Sequence, residues 1–78
     1  MLLSDAIQNR IKYYLNKNNM TVWQLYKATG IPKSTLSAIV AGTSKIPKLD
    51  TILHICEGFN ITLIDFFSDP IFNDVEQE

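Results

Sequence analysis

The stretch "TVWQLYKATGIPKSTLSAIVAG", Thr21 to Gly42, constrains the chain more than any other. Two short helical patterns are split there by Gly30-Ile31-Pro32. Glycine suits a left-handed stop, and a proline at the opening turn of the next helix gives up no hydrogen bond. From about Pro32 to Gly42 the spacing buries Leu36, Ile39 and Val40 and leaves Lys33, Ser34, Thr35, Ser37 and Ala38 outside. A helix serving stability alone carries Glu, Gln and Lys on its wet face, because these lose little rotamer freedom and pair along the helix. Here the wet face holds small hydroxyls, a methyl and one cation.

The rest of the chain reads as three more helices. Ser4 is expected to cap the first, whose apolar positions Ile7, Ile11, Tyr14 and Leu15 follow helical spacing and end in the polar run Asn16 to Asn19. Thr21 caps the second, with Leu25, Tyr26 and Ala28 as apolar members and Trp23 unsettled between core and surface. "GTSKIPK" is a loop, since Pro47 disfavours helical geometry at Ile46. Leu49, Ile52, Leu53, Cys56 and Phe59 mark one face of a fourth helix, with Asn60 as a left-handed stop. Thr62 caps a fifth, carrying Leu63, Ile64, Phe66 and Phe67, with Pro70 soon after it. With no strand candidate of any strength, the expectation is an all-α, five-helix fold. One domain spans residues 1–72, and residues 73–78 are expected to form a frayed acidic tail.

Net charge of −1 and a pI near 5.7 would by themselves argue against a polyanionic partner. The average conceals a split. Arg10, Lys12, Lys17, Lys27, Lys33, Lys45 and Lys48 share the first part of the chain with Asp5 alone, whereas every other carboxylate follows Lys48. Such a dipolar domain can turn a basic face to a polyanion.

Catalytic chemistry has little to stand on. His54 is the sole histidine and lacks clustered metal ligands, and Cys56 reads as a small buried hydrophobe. Neither a glycine-rich phosphate loop nor a Gly-x-Ser-x-Gly elbow is present. The reading is therefore a non-enzyme without metal or cofactor. Tyr13, Tyr14, Trp23 and Tyr26 are more cheaply explained by helix packing than as a stacking platform for single strands. A single cysteine, no signal-peptide pattern and no apolar run of bilayer length point to the cytoplasm and away from a membrane.

A helix, tight turn, helix with a compact polar outer face meets the needs of major-groove reading. The same corner also occurs in proteins that never touch DNA. The longer stretch "MTVWQLYKATGIPKSTLSAIVAGTSKIPKLDTILHICEGFNITLIDFF", Met20 to Phe67, resembles the lambda-repressor-like helix-turn-helix family, also called the Cro or XRE family. Several separated parts agree: the Thr-led second helix, the Gly-x-x-x-Ser/Thr-x-Leu turn, the Gly42 and Pro47 loop, "LDTILHIC" and "ITLIDFF".

The resemblance implies a compact lambda-repressor-like domain with its recognition helix at about Pro32 to Ala41. Lys33, Ser34, Ser37 and Ala38 would meet base edges; Thr21, Val22, Thr35, Thr43, Lys45 and Lys48 would meet phosphates. Val22 departs from the glutamine that many relatives carry there, and offers only its backbone N–H. Leu15 and Val40 stand where many relatives hold an Arg–Glu pair, and are expected to touch. Apolar Ile61, Leu63, Ile64, Phe67, Ile71 and Phe72 exceed what one small core absorbs, and relatives often dimerise through this end. The implied function is a small bacterial or phage-type transcriptional repressor, a homodimer on a palindromic double-stranded DNA operator. The competing reading is an antitoxin-like or adaptor protein that holds a toxin or regulatory protein through its C-terminal helix.

Overall fold

A computed structural model describes residues 1–43 and 46–77. Among these, five α-helices follow one another: α1 (Leu3–Lys17), α2 (Val22–Thr29), α3 (Lys33–Ala41), α4 (Leu49–Phe59) and α5 (Leu63–Phe67). A 3-10 turn, Pro70–Asp74, comes after α5.

The caps explain most of the boundaries. Thr21 and Gln24 form a reciprocal box, in which the Thr21 hydroxyl accepts from the Gln24 N–H at 3.1 Å and the Gln24 side chain accepts from the Thr21 N–H at 2.8 Å. Thr62 and Asp65 repeat it at the start of α5, with both bonds at 3.0 Å. The Thr62 N–H, and after it the Thr62 hydroxyl, hold the Asp65 carboxyl below the usual carboxylate range. Gly30 at φ 75° and Asn60 at φ 60° take the left-handed geometry that closes α2 and α4.

Ser4 does not cap α1. It lies inside the first turn, behind an N-cap at Leu2 that makes no side-chain bond. The physical reason is tertiary: the Leu3 N–H donates to the Glu76 carbonyl at 3.2 Å, and the Glu76 N–H donates to the Met1 carbonyl at 2.9 Å. Leu2 and Glu76 thus form a parallel bridge. This bridge sets part of the C-terminal stretch beside the start of α1.

The core gathers Ile7 and Ile11 from α1, Leu25 from α2, Leu36 and Ile39 from α3, Ile52, Ile55, Cys56 and Phe59 from α4, and Phe66 from α5. Two faces are rotated from expectation. On α2 only Leu25 is buried, while Trp23, Tyr26 and Ala28 face outward. On α4 the buried set includes Ile55, whereas Leu49, 61% exposed, and Leu53 lie outside. Gly58 accounts for the rotation, because α2 sits directly on it: a Cβ there would lie 2.5 Å from Thr29 Cγ2 and 3.0 Å from Leu25 Cδ1.

That contact makes Gly58→Ala a contest. Helix propensity favours alanine by about 1 kcal/mol, but the overlap with Thr29 and Leu25 costs roughly 1–3 kcal/mol by overpacking. We expect a net loss of up to about 2 kcal/mol in urea unfolding; a variant more stable than the parent would show that α2 can shift freely on α4.

Cys56 of α4 is fully buried in the core, and burial, then the charge of Asp65, pushes its thiol up to about 11. At pH 8 about one thiol in a thousand is then the reactive thiolate. A thiol reagent should label native Cys56 only at the rate of unfolding, and prompt labelling would contradict this burial. Because the folded-state pKa is raised from 9.0 to about 11, stability is intact below pH 9 and declines as pH rises through 11.

Candidate nucleic-acid interface

The corner between α2 and α3 is built by local bonds. The Thr29 hydroxyl donates to the Leu25 carbonyl at 2.8 Å and accepts from the Ile31 N–H at 3.2 Å, which steers the chain out of α2. Gly30 donates to the Tyr26 carbonyl at 2.8 Å. Pro32, at φ −50° and ψ 136°, is the N-cap of α3 rather than its first helical residue, and its carbonyl accepts from the Leu36 N–H at 3.1 Å. Leu36 and Ile39 then pin α3 to the core. At the far end Gln8 of α1 donates to the Val40 carbonyl at 2.6 Å, so the last turn of α3 is tied as well.

With α3 fixed at both ends, its outer face is settled. Lys33, Ser34, Thr35 and Ser37 are exposed and Ala38 is half-buried beside them. Lys33 and Ser37 are one turn apart, as are Ser34 and Ala38, so the four proposed base-reading positions share one strip of helix. Nothing longer than lysine stands on that strip, which leaves room for close approach.

The positions assigned to phosphates differ in what they can offer. Thr21 uses its hydroxyl oxygen as a cap acceptor, so its contribution to an anion is the hydroxyl hydrogen. Val22 is half-buried, and its N–H precedes the helical ladder, which begins with the Leu25 N–H on the Thr21 carbonyl at 3.0 Å. Thr35 is exposed on α3. Thr43 is exposed and donates from both its N–H and its hydroxyl to the Ala38 carbonyl, at 3.0 and 3.4 Å. Lys48 is exposed at the N-cap of α4. Lys45 lies outside the described residues.

Of the residues assigned to a dimer face, Ile64 is 81% exposed. Ile61, Leu63, Phe67 and Phe72 are partly buried against the core, and Ile71 is half-buried. Phe66, Phe67 and Phe72 form a ring cluster, with Phe67 5.0 Å from Phe66 and 4.9 Å from Phe72 between centroids. Leu15 lies in the core and half-buried Val40 packs against that core.

Sequence reasoning missed the role of Arg10. Counted there among the cations of the basic half, it is only 6% exposed and is spent within the fold. Its guanidinium donates to the Phe66 and Asp65 carbonyls, both at 2.8 Å, to the Tyr14 hydroxyl at 3.0 Å, and to Asp69 at 3.4 Å. These bonds satisfy carbonyls at the end of α5, where no further helix could. A Tyr one turn along α1 was the only sequence hint. Missed too was the pairing of exposed Trp23 with Lys27, whose Nζ stands 5.3 Å from the ring centroid.

Among the described residues no group of three His, Cys, Asp or Glu could hold a metal ion, and no helix is long and apolar enough to cross a membrane. A family model described as a Cro/C1-type helix-turn-helix DNA-binding domain matches residues 10–70. A search of the curated proteins finds no match. Among solved structures, "Crystal structure of the prophage Lp1 protein 11" is similar, with 28% sequence identity and a TM-score of 0.81 over 96% of this chain and 100% of that one. The all-α expectation is met, and its helix-turn-helix falls at α2 and α3 inside the matched span. The chain belongs to the Cro/C1-type helix-turn-helix DNA-binding domain family.

Proposed function

We propose that this chain is a sequence-specific regulator of transcription, a repressor of the bacterial or phage type working in the cytoplasm as a homodimer on a palindromic operator. The reading rests chiefly on α3, a helix pinned at Leu36 and Ile39 whose outer strip holds Lys33, Ser34, Ser37 and Ala38. Side chains of that length reach base edges when the helix enters a major groove. Thr21, Val22, Thr35, Thr43, Lys45 and Lys48 then lie on the flanking backbone, where contacts set register and orientation. Exposed Ile64 supports the dimer, since an isoleucine this open to water gains by meeting its copy across a twofold axis.

Selection of bound sequences from a random duplex pool tests the function. A sharp palindrome with half-site centres about one helical turn apart is the expected result. A pool that enriches nothing would remove the DNA reading and move the protein-partner reading, an antitoxin-like or adaptor role, ahead of it. Sedimentation of the free and DNA-bound protein tests the dimer, and a monomer at high micromolar concentration in both would end it.

A further inference from the structure

Trp23 and Lys27 are one turn apart on α2, on the side opposite buried Leu25. Trp23 is 52% exposed, and the Lys27 ammonium lies over its ring at 5.3 Å. Tryptophan is rarely left this open on a small domain, and it brings one polar group, an indole N–H that can only donate. The cation over the ring orients it and makes the pair positively charged. Both groups therefore offer donors and no acceptor, which suits an anion.

We infer that Trp23 and Lys27 form a contact to the DNA backbone, with the indole N–H donating to a phosphate oxygen and the ammonium beside it. The inference rests on the DNA-binding reading above. Trp23 follows Thr21 and Val22 directly, at the end of α2 already assigned to phosphate. Val22 has no side-chain donor to give there, and the Thr21 oxygen is committed to the helix cap. The pair supplies side-chain donors next to Val22, which has none of its own. Because it touches backbone and not bases, it adds affinity evenly across sequences.

Trp23 is the sole tryptophan, so its fluorescence reports this site alone. The test takes the full chain, a fluorescently labelled duplex from the pool selection and a scrambled duplex of equal length. Binding of the labelled duplex is followed by anisotropy, and Trp23 by acrylamide quenching. Quenching should fall at least about twofold in the saturated complex. Trp23→Phe keeps the ring but not the donor, and should weaken both duplexes by roughly three- to tenfold without changing the preference between them. Lys27→Gln should weaken both similarly and reduce the salt slope by about one unit. Neither side chain is in the core, so the melting temperature should hold, and circular dichroism checks it. Normal anisotropy binding with unchanged quenching and parent-like affinity in both variants would overturn the contact while leaving DNA binding intact. A parent protein that binds neither duplex would overturn both.

Discussion

Arg10→Ala should cost about 2–4 kcal/mol, because it takes a charged donor from buried acceptors at roughly 1–3 kcal/mol each. For a domain of this size that lowers the thermal midpoint by something on the order of 20 °C. The loss is large because the Phe66 carbonyl and the Tyr14 hydroxyl oxygen lose their buried donor, whereas the Asp65 carbonyl keeps the Ser68 hydroxyl and Asp69 keeps the Ile71 N–H. Arg10→Lys should recover only part of it, since an ammonium at one point cannot span carbonyls that the planar fork reaches from two nitrogens. Thermal melts by circular dichroism decide the matter. An alanine variant melting within about 3 °C of the parent, under 1 kcal/mol on the same scale, would mean that water takes over these acceptors.

Lys33→Ala should act on recognition and leave folding alone, because Lys33 is exposed in the first turn of α3. Loss of a donor to guanine O6 or N7 should cost about 1–3 kcal/mol on the preferred operator and relax the base choice at one position per half-site. Ser37→Ala should do the same more weakly, as a hydroxyl can donate or accept. Lys45→Ala and Lys48→Ala should instead weaken every duplex by nearly one factor and flatten the salt dependence by about one unit each. Binding profiles over a panel of operator variants separate these outcomes. If Lys33→Ala and Lys48→Ala gave profiles of the same shape, the division between base reading and backbone grip would be wrong.

What the sequence made legible was local. The Thr21 and Thr62 caps, the left-handed stops at Gly30 and Asn60, and the Leu36–Ile39 stripe each depend on neighbours within about one helical turn. Errors arose where the deciding partner was far away in the chain. Ser4 lost its capping role to the carbonyl of Glu76. The buried face of α4 turned toward Ile55 because Gly58, which has no side chain to register in an apolar pattern, let α2 approach. Tyr26 and Ala28 were assigned inward by composition, yet an eight-residue helix resting on Leu25 shows most of its surface to water. Arg10 was the least legible, because its carbonyl acceptors lie 55 and 56 residues along the chain. The outer strip of α3 came through well because it needs only the helix period and two core anchors. The pairing of Trp23 with Lys27 did not, since exposed aromatics read more simply as packing.

The bridge between Leu2 and Glu76 has a consequence for the order in which the molecule assembles. Closing a loop costs more entropy the longer it is, so the pairing that joins the two ends needs everything between them gathered first. The corner of α2 and α3 asks for none of that; its caps, its turn and its buried Leu25 and Leu36 all fall within residues 21–42. Hydrogen exchange should follow the same gradient, with the Leu3 and Glu76 amides opening by small local fluctuations and those of α2 and α3 only in larger ones. The helix-turn-helix corner is thus among the first parts to form and the last to come apart, and the paired ends can open and re-pair many times without disturbing it.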